Sequence, residues 1–331
     1  MTLGAPMMAC RICGNEAGNR EHSFREMMFG TGEEFLYLEC GSCGCLQIAE
    51  IPPDLERYYN AGHAGLVADP QILAGSSLKR LLRRLRDSHT LTGTGTAGWL
   101  LELLQPAMPA LRALARVHPR RTARILDVGC GSGYFLWSLY NAGFRNLLGI
   151  DPYLPEEKEL APGVKLLRRH LGDVAEEWDI ITFIDSFEHV PDPQPVLQAA
   201  AERLTGDGRI LIRTPVVPCE AFMRYGEHWV QADAPRHLHI PSICAMEHLA
   251  AASGLTLEHI VYDSTDFQFW GSEQYRRGIP LLAEDSYFLN PARSIFTPDQ
   301  IRRFRRETEE LNRRGEGDSA VFYLRRTSPG G

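Results

Sequence analysis

The segment Ile125-Leu-Asp-Val-Gly-Cys-Gly-Ser-Gly133 constrains this chain more than any other. A short apolar run ending in glycines at alternate positions reads as a buried strand, a sharp turn and a helix, here YFLWSLYNAG. Glycine permits the turn and lets a ligand approach the backbone, because a Cβ would occupy the space the ligand needs. Strand and helix alternate from Ala123 onward. The apolar runs RILDVG, NLLGID, VKLL, DIITFID and RILIRTP, followed by LTLEHIVYD and SAVFYLRR, supply seven strands. The helical patterns PQPVLQAAAERL and ICAMEHLAAASG fall between them. Such alternation predicts an α/β fold, a parallel sheet with helices on both faces. With 331 residues, 44% of them hydrophobic, the chain has room for that domain and a smaller unit beside it.

Eighteen residues after Gly133, at the end of the second strand, stands Asp151 in LLGIDPY. A carboxylate there can accept hydrogen bonds from ribose hydroxyls. A dinucleotide fold wants G-x-G-x-x-G with a helix N-terminus facing a pyrophosphate. This chain has G-x-G-x-G instead, with Asp127 two positions before the first glycine. That acid would repel a diphosphate, and it suits a ligand carrying an amino group and a sulfonium charge, as S-adenosylmethionine does.

ILDVGCGSGYFL, GIDP, DIITFIDSFEHVPDP and LTGDGRILIRTP, in that order, resemble the successive motifs of the class I S-adenosylmethionine-dependent methyltransferases. The resemblance covers most of residues 123–265 and implies a Rossmann-like seven-stranded methyltransferase sheet. It also implies that Asp127, Gly129, Cys130, Gly131 and Gly133 lie around the methionine moiety and that Asp151 binds the ribose. Asp173, in RRHLGDV, is then the side chain beside the adenine, with a backbone contact near Leu171 as the alternative. Asp185, at the end of the fourth strand, completes the donor-binding set.

Methyl transfer is an in-line displacement, so the protein aligns the reactants and removes a proton when the acceptor is a hydroxyl or an acidic carbon. Glu188 and His189 follow the fourth strand, next to the crevice where open parallel sheets bind ligands. They are candidate catalytic groups; the alternative is that they cap the turn. The same segment resembles the ubiquinone-pathway O-methyltransferases, which implies a divalent cation held by Asp185, Glu188 and His189 near the acceptor hydroxyl. TPVVPCEAFMRYGEHWVQADAPRHLHIPS, rich in His, Trp and Tyr, is expected to cover the acceptor pocket. It resembles the PRH-containing acceptor segment of a broad branch of these enzymes and offers His228, Trp229, Arg236, His237 and His239, with His237 as the third catalytic candidate. DFQFWGSEQY and LNRRGEGDSAVFYL extend the resemblance nearly to the C-terminus.

Five of the eight cysteines precede residue 46. Cys10-x-x-Cys13 and Cys40-x-x-Cys43 form two knuckles with glycines at Gly14, Gly41 and Gly44, the arrangement of a closed tetrahedral zinc site. Cys45 is the alternative to Cys43. Residues 1–60 are therefore expected to form a zinc-ribbon-like module with structural zinc, and residues 61–122 a helical connector. In the connector SLKRLLRRLRDSH puts Leu78, Leu81, Leu82 and Leu85 on one face, while Pro106 and Pro109 interrupt WLLELLQPAMPALRALARV. The methyltransferase domain takes residues 123–331. It carries an insertion at about 266–317, whose clearest element is a helix from Pro298 to Arg314 with Thr297 as N-cap and Gly315 after its end.

The formal charge of −7 disfavours a chain-wide grip on nucleic acid. Residues 78–124 are basic, with ten Lys or Arg against Asp87 and Glu102. No stretch reaches the roughly 18 apolar residues of a membrane span, so no membrane is expected as a partner. Reduced, metal-binding thiols and an N-terminus without a secretory pattern point to the cytoplasm. The expected activity is methylation of a hydroxyl or carbon on a small-molecule or carrier-linked acceptor: a metabolite, sugar or glycan precursor. The alternatives are an RNA methyltransferase that uses the ribbon and basic helices, and a non-catalytic cofactor-binding module.

Overall fold

A computed structural model describes residues 9–60 and 76–327. The first part of the expected connector, residues 61–75, lies outside the described residues, as do residues 1–8 and 328–331. Three strands come first: β1 (Arg20–Arg25), β2 (Glu34–Glu39) and β3 (Leu46–Ile48). The helices α1 (Arg57–Asn60), α2 (Ser77–Thr92), α3 (Thr96–Leu104) and α4 (Pro109–Ala115) follow. Helix α3 ends before Pro106 and α4 begins at Pro109, the two interruptions the sequence announces.

The α/β region contains β4 (Ile125–Val128), α5 (Tyr134–Asn141), β5 (Leu147–Ile150), β6 (Lys158–Ala161), β7 (Val164–Leu167), β8 (Trp178–Ile184), α6 (Pro193–Glu202) and β9 (Leu204–Pro215). It continues with α7 (Glu220–Tyr225), β10 (His239–Ile240), α8 (Ile243–Ala252), β11 (Leu255–Tyr262), α9 (Phe267–Arg276), α10 (Pro298–Arg314) and β12 (Ser319–Arg326). The large sheet has the order β11-β12-β9-β8-β4-β5-β7-β6. All seven apolar runs are strands in it. The eighth strand, β6, is an antiparallel edge partner of β7. It escapes a reading by apolar runs because Leu160 is its one fully buried side chain.

Strands β5, β4, β8 and β9 are parallel neighbours, and Ile125, Leu126, Ile181, Phe183, Ile210 and Ile212 bury completely between the covering helices. The chain leaves β4 toward β5 on one side and reaches β8 on the other. That reversal opens a crevice at the carboxyl ends of β4, β5 and β8. At the opposite end of the insertion, α10 carries the expected cap: Thr297 and Gln300 form a reciprocal capping box, and Gly315 closes the helix with φ of 73°. No helix among the described residues is long and apolar enough to cross a membrane.

A second sheet has the order β1-β2-β3-β10. Its fourth strand comes from the region after β9, with His239 opposite Gln47 and Ile240 opposite Leu46. The two parts are fastened at further points. The Tyr37 hydroxyl donates to the His237 carbonyl at 2.9 Å, and the Arg11 guanidinium donates to the carbonyls of Ile48 and Leu238. Ser242 Oγ accepts from Ala245 N at 2.9 Å, capping α8, while donating to the carbonyl of Cys43.

Ser242→Ala removes the cap and the link to Cys43 together. The expected loss is about 1–2 kcal/mol in urea denaturation; an unchanged midpoint would show that neither bond matters.

Candidate functional site

The three glycines of the turn after β4 have φ of 74°, 48° and 81°. Their reasons differ. A Cβ at Gly129 would overlap the Ser186 side chain, and one at Gly133 would lie 2.8 Å from Leu166 and 2.9 Å from Leu160. At Gly131 a Cβ would meet nothing within 4 Å, so here the backbone borders open crevice. Packing requires the outer two glycines, and the middle one leaves room for a ligand. Asp151 secures the same turn: its Oδ2 accepts from Gly131 N at 3.1 Å and its Oδ1 from Tyr153 N at 2.8 Å. Each oxygen retains a lone pair for a ribose hydroxyl.

Asp127 is buried, and its Oδ1 accepts from Thr182 Oγ1 at 2.8 Å. Loss of hydration pushes its pKa up to about 7, against the pull of the Thr182 hydrogen bond. Cys130 is also buried; its sulfur lies against Gly149 of β5, and burial raises its thiol pKa. The Asp173 carboxylate accepts from His170 N at 3.1 Å and so caps its own turn, Leu171–Asp173.

Beyond β8 the turn Phe187–His189 adjoins the glycine loop, since Ser186 Oγ donates to Val128 O at 2.7 Å. Glu188 is buried, and its Oε2 has no hydrogen-bond partner. Desolvation, with Asp185 adding repulsion, pushes its pKa up to about 8. His189 Nδ1 lies 2.8 Å from the carbonyl of Arg236, and His237 Nδ1 lies 2.7 Å from that of Gln231. A carbonyl only accepts, so both rings carry their proton on Nδ1 and present Nε2 as a lone pair. Burial drives His189 down to about 3 and lowers His237, keeping both neutral. The rings stand edge to face with centroids 4.9 Å apart, and His237 Nε2 is 3.8 Å from Glu188 Oε1.

One ligand atom each from Glu188, His189 and His237 lies within 4.8 Å of the others. Asp185, expected beside Glu188 and His189 as a cation ligand, is not in this group. Its backbone takes φ of 51°, and its half-exposed carboxylate pairs with Arg213, which also holds Asp263 at 2.8 Å. A strong cation on the neighbouring strand therefore takes that acid, and His237 brings the third donor atom.

The remaining candidates of the acceptor segment have mainly structural contacts. Trp229 is buried and donates to Asp318 at 3.2 Å, Arg236 pairs with Asp233, and His239 sits buried against Phe187. His228 is half-buried and lies 3.6 Å from Glu227. Tyr59 was not singled out by sequence. Its hydroxyl lies 3.1 Å from His189 Nδ1, and its ring stacks on Tyr153, two residues after Asp151, with centroids 5.8 Å apart and planes at 8°. Only the tandem tyrosines of ERYYN could have hinted at it.

The sulfurs of Cys10, Cys13, Cys40 and Cys43 also gather within 4.8 Å of one another. Cys10 Sγ is 3.6 Å from Cys43 Sγ, and Cys13 Sγ is 3.5 Å from Cys40 Sγ. A tetrahedron of sulfurs at the usual Zn–S distance of about 2.3 Å has edges of about 3.8 Å, so this set fits zinc. Cys45 stands apart, its buried thiol donating to the Leu46 carbonyl at 3.6 Å.

Comparison with known proteins gives a family model described as a methyltransferase domain, which matches residues 93–260, half of the chain. The ubiquinone biosynthesis O-methyltransferase of Salmonella paratyphi A is 29% identical over 119 residues, 33% of this chain and 46% of that protein. The same-named protein of Aeromonas salmonicida is 34% identical over 102 residues, 28% of this chain and 42% of its own. The chain thus spans less than half the length of these curated relatives. An O-methyltransferase from a trans-AT PKS multienzyme of Brevibacillus brevis, solved with S-adenosyl-L-homocysteine, is 16% identical with a TM-score of 0.39, covering 68% of this chain and 78% of that one.

Asp151→Ala should weaken S-adenosylhomocysteine binding by about 1.5–3 kcal/mol in calorimetry while the chain stays folded. Wild-type affinity for that amine-bearing ligand should rise as pH is raised through about 7, where Asp127 gives up its proton in the free protein, and then level off. Asp127→Asn should flatten the profile; a persistent rise would assign the titration to another group.

Proposed function

Since the chain belongs to the class I S-adenosylmethionine-dependent methyltransferases through its methyltransferase domain, we propose that it methylates a hydroxyl on a small or carrier-linked acceptor, a metabolite, sugar or glycan precursor. The observation that carries this reading is the convergence of a buried carboxyl and two imidazoles, Glu188, His189 and His237, beside the glycine turn. The names of the O-methyltransferase relatives favour oxygen as the accepting atom.

The donor supplies a methyl carbon made electrophilic by the adjoining sulfonium. Around it the Gly131 backbone and Asp151 receive the adenosine end, and the Asp127 carboxylate balances the positive charge of the methionine end. On the acceptor side, the hydroxyl proton passes to the Nε2 lone pair of His237, since burial leaves His189 too weak a base. The backbone carbonyl of Gln231 holds the tautomer that makes that lone pair available. Glu188, 3.8 Å from His237 and kept largely protonated near neutrality by burial, stabilises the resulting imidazolium in its ionised form.

Two imidazoles anchored through Nδ1 and an unpartnered carboxylate oxygen also suit a divalent cation. Such an ion would supply Lewis acidity toward the acceptor oxygen. Cys10, Cys13, Cys40 and Cys43 hold a structural zinc in this reading, with no ligand position left open. All eight cysteines are free thiols, which suits a reducing, cytoplasmic setting.

Transfer of radiolabelled methyl from S-adenosylmethionine to hydroxyl-bearing acceptors, including nucleotide sugars, tests the proposal. Glu188→Gln and His237→Gln should each lower turnover roughly 100-fold or more with donor affinity preserved. Full activity in either variant excludes the acceptor-side role. Cys40→Ser should release one equivalent of zinc and, through β3 and β10, broaden the NMR signals of residues 236–242; retention of the metal counts against the four-thiolate site.

A further inference from the structure

Thirteen large apolar side chains are exposed among the described residues, and eight of them lie on α2 and α3. On α2 these are Leu78, Leu81, Leu82 and Leu85, spaced i, i+3, i+4, i+7 along one stripe, and 40–64% exposed. On α3 they are Trp99, Leu100, Leu103 and Leu104, spaced i, i+1, i+4, i+5 on one face and 53–76% exposed. The two helices pack closely, since a Cβ at Gly98 of α3 would overlap the Leu85 carbonyl of α2, and the exposed set of α3 faces away from that contact. Isolated exposed leucines are ordinary, but a concentration of this kind marks an interaction surface.

The charge on the same element narrows the partner. Lys79, Arg80 and Arg84 are exposed and Arg83 is half-buried, and helical spacing puts them on the flanks and face of α2 opposite its leucines. The first acid after them, Asp87, is buried and bound to Arg86. The chain as a whole carries −7, so α2 is an amphipathic helix with a basic polar face on an acidic protein. A second copy meeting it symmetrically would cover the leucines but leave the cations unanswered. Nucleic acid would answer the arginines but offers no match for a stripe of leucines. An anionic lipid surface answers both, taking the leucines and Trp99 below the headgroups and pairing the cations with lipid phosphates.

We propose that α2 and α3 form a peripheral docking surface for an anionic membrane. Sequence excluded a membrane on the length of a span. Lying in the headgroup plane requires only one apolar face, and α2, at 16 residues, supplies it. The proposal is separate from methyl transfer and from the identity of the acceptor.

Co-sedimentation of the full chain with vesicles decides it, using equal parts phosphatidylglycerol and phosphatidylcholine against phosphatidylcholine alone. The expected result is binding to the anionic vesicles at low salt that weakens as salt rises. Arg80→Glu combined with Arg84→Glu should lower partitioning at least about tenfold, and Leu81→Ser combined with Leu103→Ser should do likewise. Both variants should bind S-adenosylhomocysteine as the wild type does, which shows that they are folded. Equal partitioning to the two vesicle types, or wild-type partitioning by either variant, overturns the proposal. So does a dimer, seen by sedimentation velocity, that the leucine variant dissociates while neither vesicle is bound.

Discussion

The antiparallel pairing of β3 with β10 is the contact on which the candidate site depends. It is only two residues long on the β10 side, yet it lies between the Cys40–Cys43 knuckle and the Arg236-His237 segment. A two-residue strand has little stability by itself. Here it gains the Tyr37 hydroxyl on the His237 carbonyl and the Ser242 hydroxyl on the Cys43 carbonyl. The N-terminal sheet therefore sets where the His237 backbone runs, and that backbone sets where the imidazole stands.

Orientation of the two rings then follows from hydrogen-bond chemistry. Main-chain carbonyls of Arg236 and Gln231 can only accept, and each fixes a tautomer by taking the Nδ1 proton. Burial keeps the rings neutral, and Glu188 closes the arrangement with an oxygen that nothing else satisfies. A buried carboxylate oxygen without a partner costs stability. Its retention on a carboxyl whose other oxygen lies 3.8 Å from His237 Nε2 makes sense as a place reserved for a proton or a cation.

Much of this was legible in the sequence where the signals are local. The strand before Gly129, the boundaries around Pro106 and Pro109, and the cap at Thr297 each depend on residues within a turn of one another. The gathering of Cys10, Cys13, Cys40 and Cys43 was likewise readable from two short knuckles. What escaped was set by contacts distant along the chain. Asp185 was withdrawn from Glu188 and His189 by Arg213, a residue of β9. His237 was named for its chemistry, but its proximity to Glu188 required the chain to return across the crevice. Tyr59 carries no motif at all; its position against His189 and Tyr153 exists only once the N-terminal part is docked.

The bond from Tyr37 to His237 joins groups 200 residues apart, and it bears on how the molecule is made. During synthesis β1, β2 and β3 leave the ribosome long before the strand that completes their sheet. In that interval β3 is an open edge, free to pair with the wrong chain. A metal clasp on the two cysteine knuckles would give the unfinished sheet a reason to hold its shape until its last strand arrives.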